Sequence, residues 1–248
     1  MLYRVEGIVI RSFDYGEGNK IITILTRDYG KMSVMVRGAK KVKSRHSALA
    51  LLFTYGEFVF FKTGSMGTLS QGEILKAYQS LREDIHKTAY AAYLAELTER
   101  LLGEQDRPAW VFDQLLAALD AVEADKDEQI VTHIYEMRLL SLAGYTPELS
   151  QCVSCGSQEG EMAVSPSMGG LLCPRCRHQD ASAIPVSESV LKLLRLFLHM
   201  DIGRLGKIEV SPSTRALLKR VIRQLYDTFV EVRWKSRQFL DQMDKYGI

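Results

Sequence analysis

Hydrophobic positions along this chain change their period twice. From Tyr3 to Phe13 the sequence is rich in Val and Ile and breaks at Asp14-Tyr-Gly-Glu-Gly18, a turn signal with two glycines. A second extended segment runs from about Lys20 to Thr26, and after Arg27-Asp-Tyr-Gly30 apolar Met32, Val34 and Val36 alternate with Ser33, Met35 and Arg37, which completes a hairpin. Ser47 to Phe53 suits a brief helix capped by Ser47. Glu57 to Lys62 is aromatic and β-branched, and Thr63-Gly-Ser-Met-Gly67 turns it into a last strand that reaches about Tyr78. Five strands within residues 1–80, interrupted by a helix only between the third and fourth, have the order of a small closed OB-type barrel. Phe58, Phe60 and Phe61 read as its core, whereas Tyr15 and Tyr29 sit in turns and are stacking candidates.

The period becomes helical from Asp84. Tyr90, Tyr93, Leu94, Leu97, Leu101 and Leu102 recur at three and four, and Gly103 stops the helix. A second helix starts near Pro108 and carries Trp110, Phe112, Leu115, Leu116 and Leu119. A third runs from about Glu128 to Ala143 and ends at Gly144. The acidic residues here read as solvated outer-face charges. Further on, Pro185-Val-Ser187 leads into an apolar helix from Val190 to His199, and Ser211-Pro212 opens another with Leu217, Leu218, Val221, Ile222, Leu225 and Phe229 inward. The expected architecture is α+β and multidomain, with an OB-fold barrel over 1–80, a helical domain over 81–248, and a cysteine module over 150–180.

Charge sharpens this picture once it is split by position. Residues 1–80 carry 12 Lys/Arg against 6 Asp/Glu, residues 81–150 carry 6 against 14, and residues 151–248 carry 14 against 10. The basic charge of the first segment peaks at Arg37-Gly-Ala-Lys-Lys-Val-Lys-Ser-Arg-His46, which holds five cations and no acid. So many like charges resist burial and call for a solvated loop facing an anionic partner, of which phosphate is the obvious one. On the helix after Pro212, Arg215, Lys219 and Arg223 stand four apart as a ridge of charge.

The strongest chemical signal is Cys152-Val-Ser-Cys155-Gly156 followed by Cys173-Pro-Arg-Cys176, a C-x2-C-x17-C-x2-C pattern. Two residues between thiolates let one tight turn bring both sulfurs to a tetrahedral ion at about 2.3 Å, and the second pair closes the shell. One structural Zn²⁺ held by Cys152, Cys155, Cys173 and Cys176 is expected, with a hairpin between the knuckles and His178 surplus. The start of the chain lacks an apolar signal core and no apolar run approaches the ~18 residues of a spanning helix, so a cytoplasmic protein without membrane attachment is expected. Phosphate-cradling, dinucleotide, zincin and nucleophile-elbow motifs are all missing. A binding protein fits better than an enzyme. The alternatives are a zinc-ribbon RNA-binding translation or transcription factor and a metal-dependent nuclease.

The ordered set Val5-Glu-Gly-Ile-Val-Ile-Arg11, Tyr15-Gly-Glu-Gly-Asn-Lys20, Thr26-Arg-Asp-Tyr-Gly-Lys31, Arg37-Gly-Ala-Lys40 and Ala143-Gly-Tyr-Thr-Pro147 before the first cysteine knuckle resembles the RecO family of bacterial recombination mediators. The resemblance spans essentially the whole chain. It implies binding of single- and double-stranded DNA, annealing of complementary strands, and partnership with RecR and single-stranded DNA-binding protein in loading RecA, in the bacterial cytoplasm at the nucleoid. Carried over by position, it assigns DNA contacts to Arg11, Lys20, Lys31, Arg37 and Lys40, which Lys41, Lys43 and Arg45 extend by proximity. It also implies a helical-domain site for the acidic tail of the single-strand-binding protein. Charge and helical spacing nominate Lys192, Arg195, Arg215, Lys219 and Arg223 for that site.

Overall fold

The computed structural model describes every residue except Val42, Lys43, Gln105, Glu231 and Ile248. Among the candidate DNA contacts, Lys43 therefore lies outside the described residues. The chain forms two compact units, Met1–Glu128 with Trp234–Ile248, and Gln129–Arg233.

The first unit is built on a closed barrel of β1 (Leu2–Tyr15), β2 (Asn19–Thr26), β3 (Gly30–Val36), β4 (Tyr55–Thr63) and β5 (Met66–Lys76), in the order β1-β2-β3-β5-β4. Antiparallel neighbours join along the meander, and a short parallel pairing of β3 with β5, from Ser33–Met66 to Met35–Thr68, closes the wall. Closure leaves no open edge. It needs a stagger, visible in the register: Phe13 faces Ile21, Ile21 faces Met35, Met35 faces Thr68, Thr68 faces Phe61 and Phe61 faces Leu2, which returns to β1 far back along the strand. Val5, Val9, Ile22, Ile24, Val34, Val36, Phe58, Phe60 and Leu69 fill the interior. Strand alternation that turns Phe58 and Phe60 inward turns Phe61 outward, and Phe61 is 56% exposed rather than part of the core. A β-bulge between Val9 and Arg11 bends β1.

Among its described residues, the segment between β3 and β4 holds one 3₁₀ turn, Ala48–Ala50. Ser47 does not cap it. Its hydroxyl donates instead to the Ser44 carbonyl. Short helix α1 (Gln79–Glu83) is followed by α2 (Ile85–Leu101), whose N-terminus is capped by Asp84 accepting from the His86 and Lys87 backbone N–H groups, and by α3 (Ala109–Glu123). The same unit takes in a C-terminal helix that apolar spacing did not reveal, α7 (Lys235–Tyr246). Its polar composition hides it, but Glu96 of α2 accepts from the Lys235 and Ser236 backbone N–H groups, and buried Trp234 meets Tyr93 edge-on at 6.3 Å between centroids.

The second unit contains α4 (Glu128–Leu142), α5 (Glu188–Phe197), α6 (Pro212–Phe229) and a four-stranded sheet in the order β6-β8-β7-β9, made by β6 (Glu148–Cys152), β7 (Ala163–Ser165), β8 (Gly170–Leu172) and β9 (Ile184–Pro185). The expected hairpin between the knuckles is β7–β8. Ser187 and Ser211 cap α5 and α6 by accepting from Val190 and Thr214. One acidic residue of α4 departs from the outer-face expectation: Glu136 is buried and bonds His133 Nδ1 at 2.8 Å.

Trp234→Ala should cost about 3 to 5 kcal/mol by emptying a large core site. Chemical denaturation checks this. The more conservative Tyr93→Phe, which keeps the edge-on ring pair, should cost far less.

Candidate nucleic-acid interface and metal centre

The barrel's cations separate into two groups. Where α2 and α3 pack on the barrel, acidic groups meet the basic ones. Arg11 pairs with Glu99 at 3.0 Å, the Lys31 ammonium donates to the Glu99 carbonyl at 2.6 Å, Arg27 pairs with Asp113 while stacking over the Phe112 ring, and Lys76 pairs with Asp120 and Glu123. Burial lowers the pKa of Lys31 below the usual lysine value, against the raising influence of Glu99.

Toward the β1–β2 turn the arrangement differs. Lys20 and Lys40 converge on one carboxylate, Asp14, at 3.2 and 2.8 Å, and the hydrogen bonds from Lys40 and Lys20 hold the Asp14 carboxyl below its usual range. The β1–β2 turn and the loop after β3 are stitched there: the Gly38 N–H donates to Asn19 Oδ1 at 2.9 Å and the Lys40 N–H to the Gly18 carbonyl at 3.1 Å. Gly38 has φ +67°, a left-handed turn conformation that favours glycine and lets the chain fold back on that turn. Beyond this stitch Arg37, Lys41 and Arg45 are exposed and make no ion pair with any described residue. The structure thus brings Lys20, Arg37, Lys40, Lys41 and Arg45 to one end of the barrel and sets Arg11 and Lys31 against α2.

The outward face of β1, β2 and β3 leads up to that end. Phe13, Ile21 and Met35 are registered neighbours across it, and Tyr15 stands opposite Asn19 in the next row. Phe13 and Tyr15 are 40% and 51% exposed. Apolar patterning alone places Phe13 on a strand without giving its face; its spacing of two from Arg11 and Tyr15 puts all three on the same face. Tyr29, the other stacking candidate, instead meets Tyr3 edge-on at 5.5 Å.

In the second unit the four cysteine sulfurs all lie within 4.8 Å of one another, with Cys155 Sγ and Cys173 Sγ 3.6 Å apart. Tetrahedral thiolates at ~2.3 Å from an ion are ~3.8 Å apart, so shifts of about 1 Å or less would close the four sulfurs on a metal ion. Backbone turns set it: the Gly156 N–H donates to the Cys152 carbonyl, and the Cys176 and Arg177 N–H groups to the Cys173 carbonyl. Gly156, at φ +71°, allows the first knuckle to turn. Burial raises the Cys152 thiol, but backbone hydrogen bonds at Cys173, Cys155 and Ser154 outweigh it and bring the thiol down to about 6, whereas Cys176, lowered by Ser154 but bonded to the other thiols, is pushed up to about 11, the split expected of close sulfurs that share protons. Nearby, His178 bonds the Arg175 carbonyl and stays out of the cluster.

The cations nominated on α5 and α6 are not a bare ridge. Arg195 donates to the Leu149 carbonyl at 2.6 Å and shares Glu188 with Lys192, while Arg215 donates to Gln129 at 3.2 Å. Arg215, Lys219 and Arg223 are half-buried and each is engaged within the structure, and Lys192 is exposed.

Family models for the N-terminal and C-terminal parts of recombination protein O match residues 1–78 and 82–238. The chain belongs to the RecO family. DNA repair protein RecO of Halalkalibacterium halodurans is 43% identical over 247 residues, covering 100% of this chain and 97% of that protein. The RecO proteins of Bacillus subtilis (43% over 244 residues, 98% and 96% covered) and Bacillus cytotoxicus (42% over 248 residues, 100% of both) are similarly close. The family match and the closed N-terminal barrel agree on an OB-fold domain, and four cysteines placed for one metal ion stand in the RecO C-terminal region. No described helix is long and apolar enough to cross a membrane.

Purified protein should carry one metal ion per chain by elemental analysis. Cys152→Ser should lose the ion and destabilise the chain by about 4 kcal/mol or more, the class of effect expected when a structural metal is removed.

Proposed function

We propose that this protein is a DNA-binding recombination mediator in DNA repair, acting by binding and not by catalysis. The observation that carries the reading is the end of the barrel where Arg37, Lys41 and Arg45 stand exposed without acidic partners among the described residues, beside Lys20 and Lys40. Cations left unpaired are free to neutralise phosphates and release condensed counterions, and this supplies affinity for single- and double-stranded DNA alike. Paired cations such as Arg11 and Lys31 position the barrel against α2 and contribute less.

Annealing follows from the same electrostatics, because screening two phosphate backbones lets complementary strands approach. The acidic C-terminal tail of a single-stranded DNA-binding protein is received by Lys192, Arg195, Arg215, Lys219 and Arg223. Strand and coat protein are then held by one chain, and two modest affinities act as one stronger affinity. With RecR as partner, the assembly hands the strand to RecA. The metal is one structural Zn²⁺ on Cys152, Cys155, Cys173 and Cys176; a closed shell of four thiolates leaves no position for a reacting water. The protein works in the bacterial cytoplasm at the nucleoid.

Two outcomes test this reading. Arg37→Glu with Lys41→Glu should weaken binding of a labelled oligonucleotide at least tenfold at low salt and reduce the slope of log affinity against log salt by about 2, one for each phosphate no longer neutralised. Unchanged affinity and slope would remove these residues from the site. Asp14→Asn, which frees Lys20 and Lys40 from their shared carboxylate, should act oppositely, tightening binding several-fold and steepening the slope.

A further inference from the structure

We infer that Phe13 and Tyr15 form a stacking platform for two unpaired bases, and that this platform, not the cations, makes the barrel prefer single strands over duplex. The inference rests on the nucleic-acid reading above and adds to it the part of the ligand that phosphate contacts cannot distinguish.

Phe13 and Tyr15 lie two residues apart on β1, so both rings project from the outward face of the barrel wall. They are 40% and 51% exposed, and no described helix, strand or loop covers them with an aromatic ring. The Tyr15 hydroxyl makes no hydrogen bond with any described residue. A large aromatic pair left in water on a sheet face is costly unless something covers it. Across the face, Ile21 and Met35 continue the row of Phe13 as half-buried apolar floor. Arg11 places its guanidinium 5.2 Å from the Phe13 ring centroid, so one edge of the platform is already a cation–aromatic stack.

The occupant follows from charge and spacing. Arg37 comes one residue after Val36, the registered partner of Lys20, and so stands in the row of Tyr15 and Asn19. The free cation of Arg37 therefore borders the aromatic pair, and exposed Lys41 and Arg45 follow in the same loop, as required of a ligand whose apolar rings hang from a phosphate chain. An acidic peptide would match the charge but offers no row of flat rings. Two positions along a strand are about 6.7 Å apart, whereas successive bases in a duplex are about 3.4 Å apart. Each ring thus takes its own base from a strand pulled out of its stack, and a duplex, with its bases paired and stacked inside, meets only the cations.

Binding of full-length protein to a 25-residue oligothymidylate and to a hairpin duplex of equal charge, measured by fluorescence anisotropy over a salt series, tests this. Phe13→Ala with Tyr15→Ala should lose on the order of a hundredfold on the single strand, about tenfold per ring, with the duplex affinity within twofold of the parent and the salt slope unchanged. Phe13→Tyr with Tyr15→Trp should restore single-strand binding, a rescue that a purely structural role would not give. The single variant Tyr15→Ala, at a half-exposed ring whose hydroxyl is unbonded, supplies the same comparison should the double variant fold poorly. Parent-like single-strand binding by these alanine variants would overturn the inference, as would equal losses on both ligands. If the parent protein binds neither ligand, it is the underlying nucleic-acid reading that fails.

Discussion

Glu99 of α2 meets the Arg11 guanidinium with its carboxylate and the Lys31 ammonium with its carbonyl, and this neutralisation of one side of the barrel governs everything proposed for the other. Asp113, Asp120 and Glu123 of α3 extend it to Arg27 and Lys76. An exposed ion pair of this kind contributes little to stability, about 0 to 1 kcal/mol. Its larger consequence is spatial. A chain with a formal net charge of only +2 acquires a directional charge distribution because acidic helices meet part of its basic barrel and leave Arg37, Lys41 and Arg45 exposed.

Closure of the barrel fixes the strands from which that exposed end is built. The parallel pairing of β3 with β5 fixes the register of the whole wall, and the hydrogen bonds from Gly38 to Asn19 and from Lys40 to Gly18 tie the basic loop to the β1–β2 turn. Asp14 completes the stitch by gathering Lys20 and Lys40. It also occupies them, so under the proposed reading the carboxylate stands where a phosphate would bind and competes with it.

The strands, the first three long helices and the cysteine cluster were legible because each leaves a local mark. Alternation at Met32, Val34 and Val36, a period near four from Tyr90 to Leu101, and two C-x-x-C knuckles are visible without tertiary information. What stayed hidden depends on partners distant in sequence. α7 is polar almost throughout, and its docking on α2 rests on Glu96, 139 residues before Lys235. Charge counting could not tell Arg37, which is free, from Arg11 and Lys31, which are occupied, since the deciding residue, Glu99, lies 88 positions from Arg11. Phe13 reads as one more apolar strand residue until the bulge after Val9 and the register with Ile21 show it on the outer face.

On the proposed reading, nucleic acid meets the barrel at its β1–β2 turn and the loop after β3. Photo-crosslinking of the full chain to oligonucleotides carrying 5-iodouracil, with adducts mapped by mass spectrometry, distinguishes that end from the acidic helices. Adducts concentrated between residues 13 and 45 are the predicted result. Adducts concentrated on α2 and α3 would contradict it.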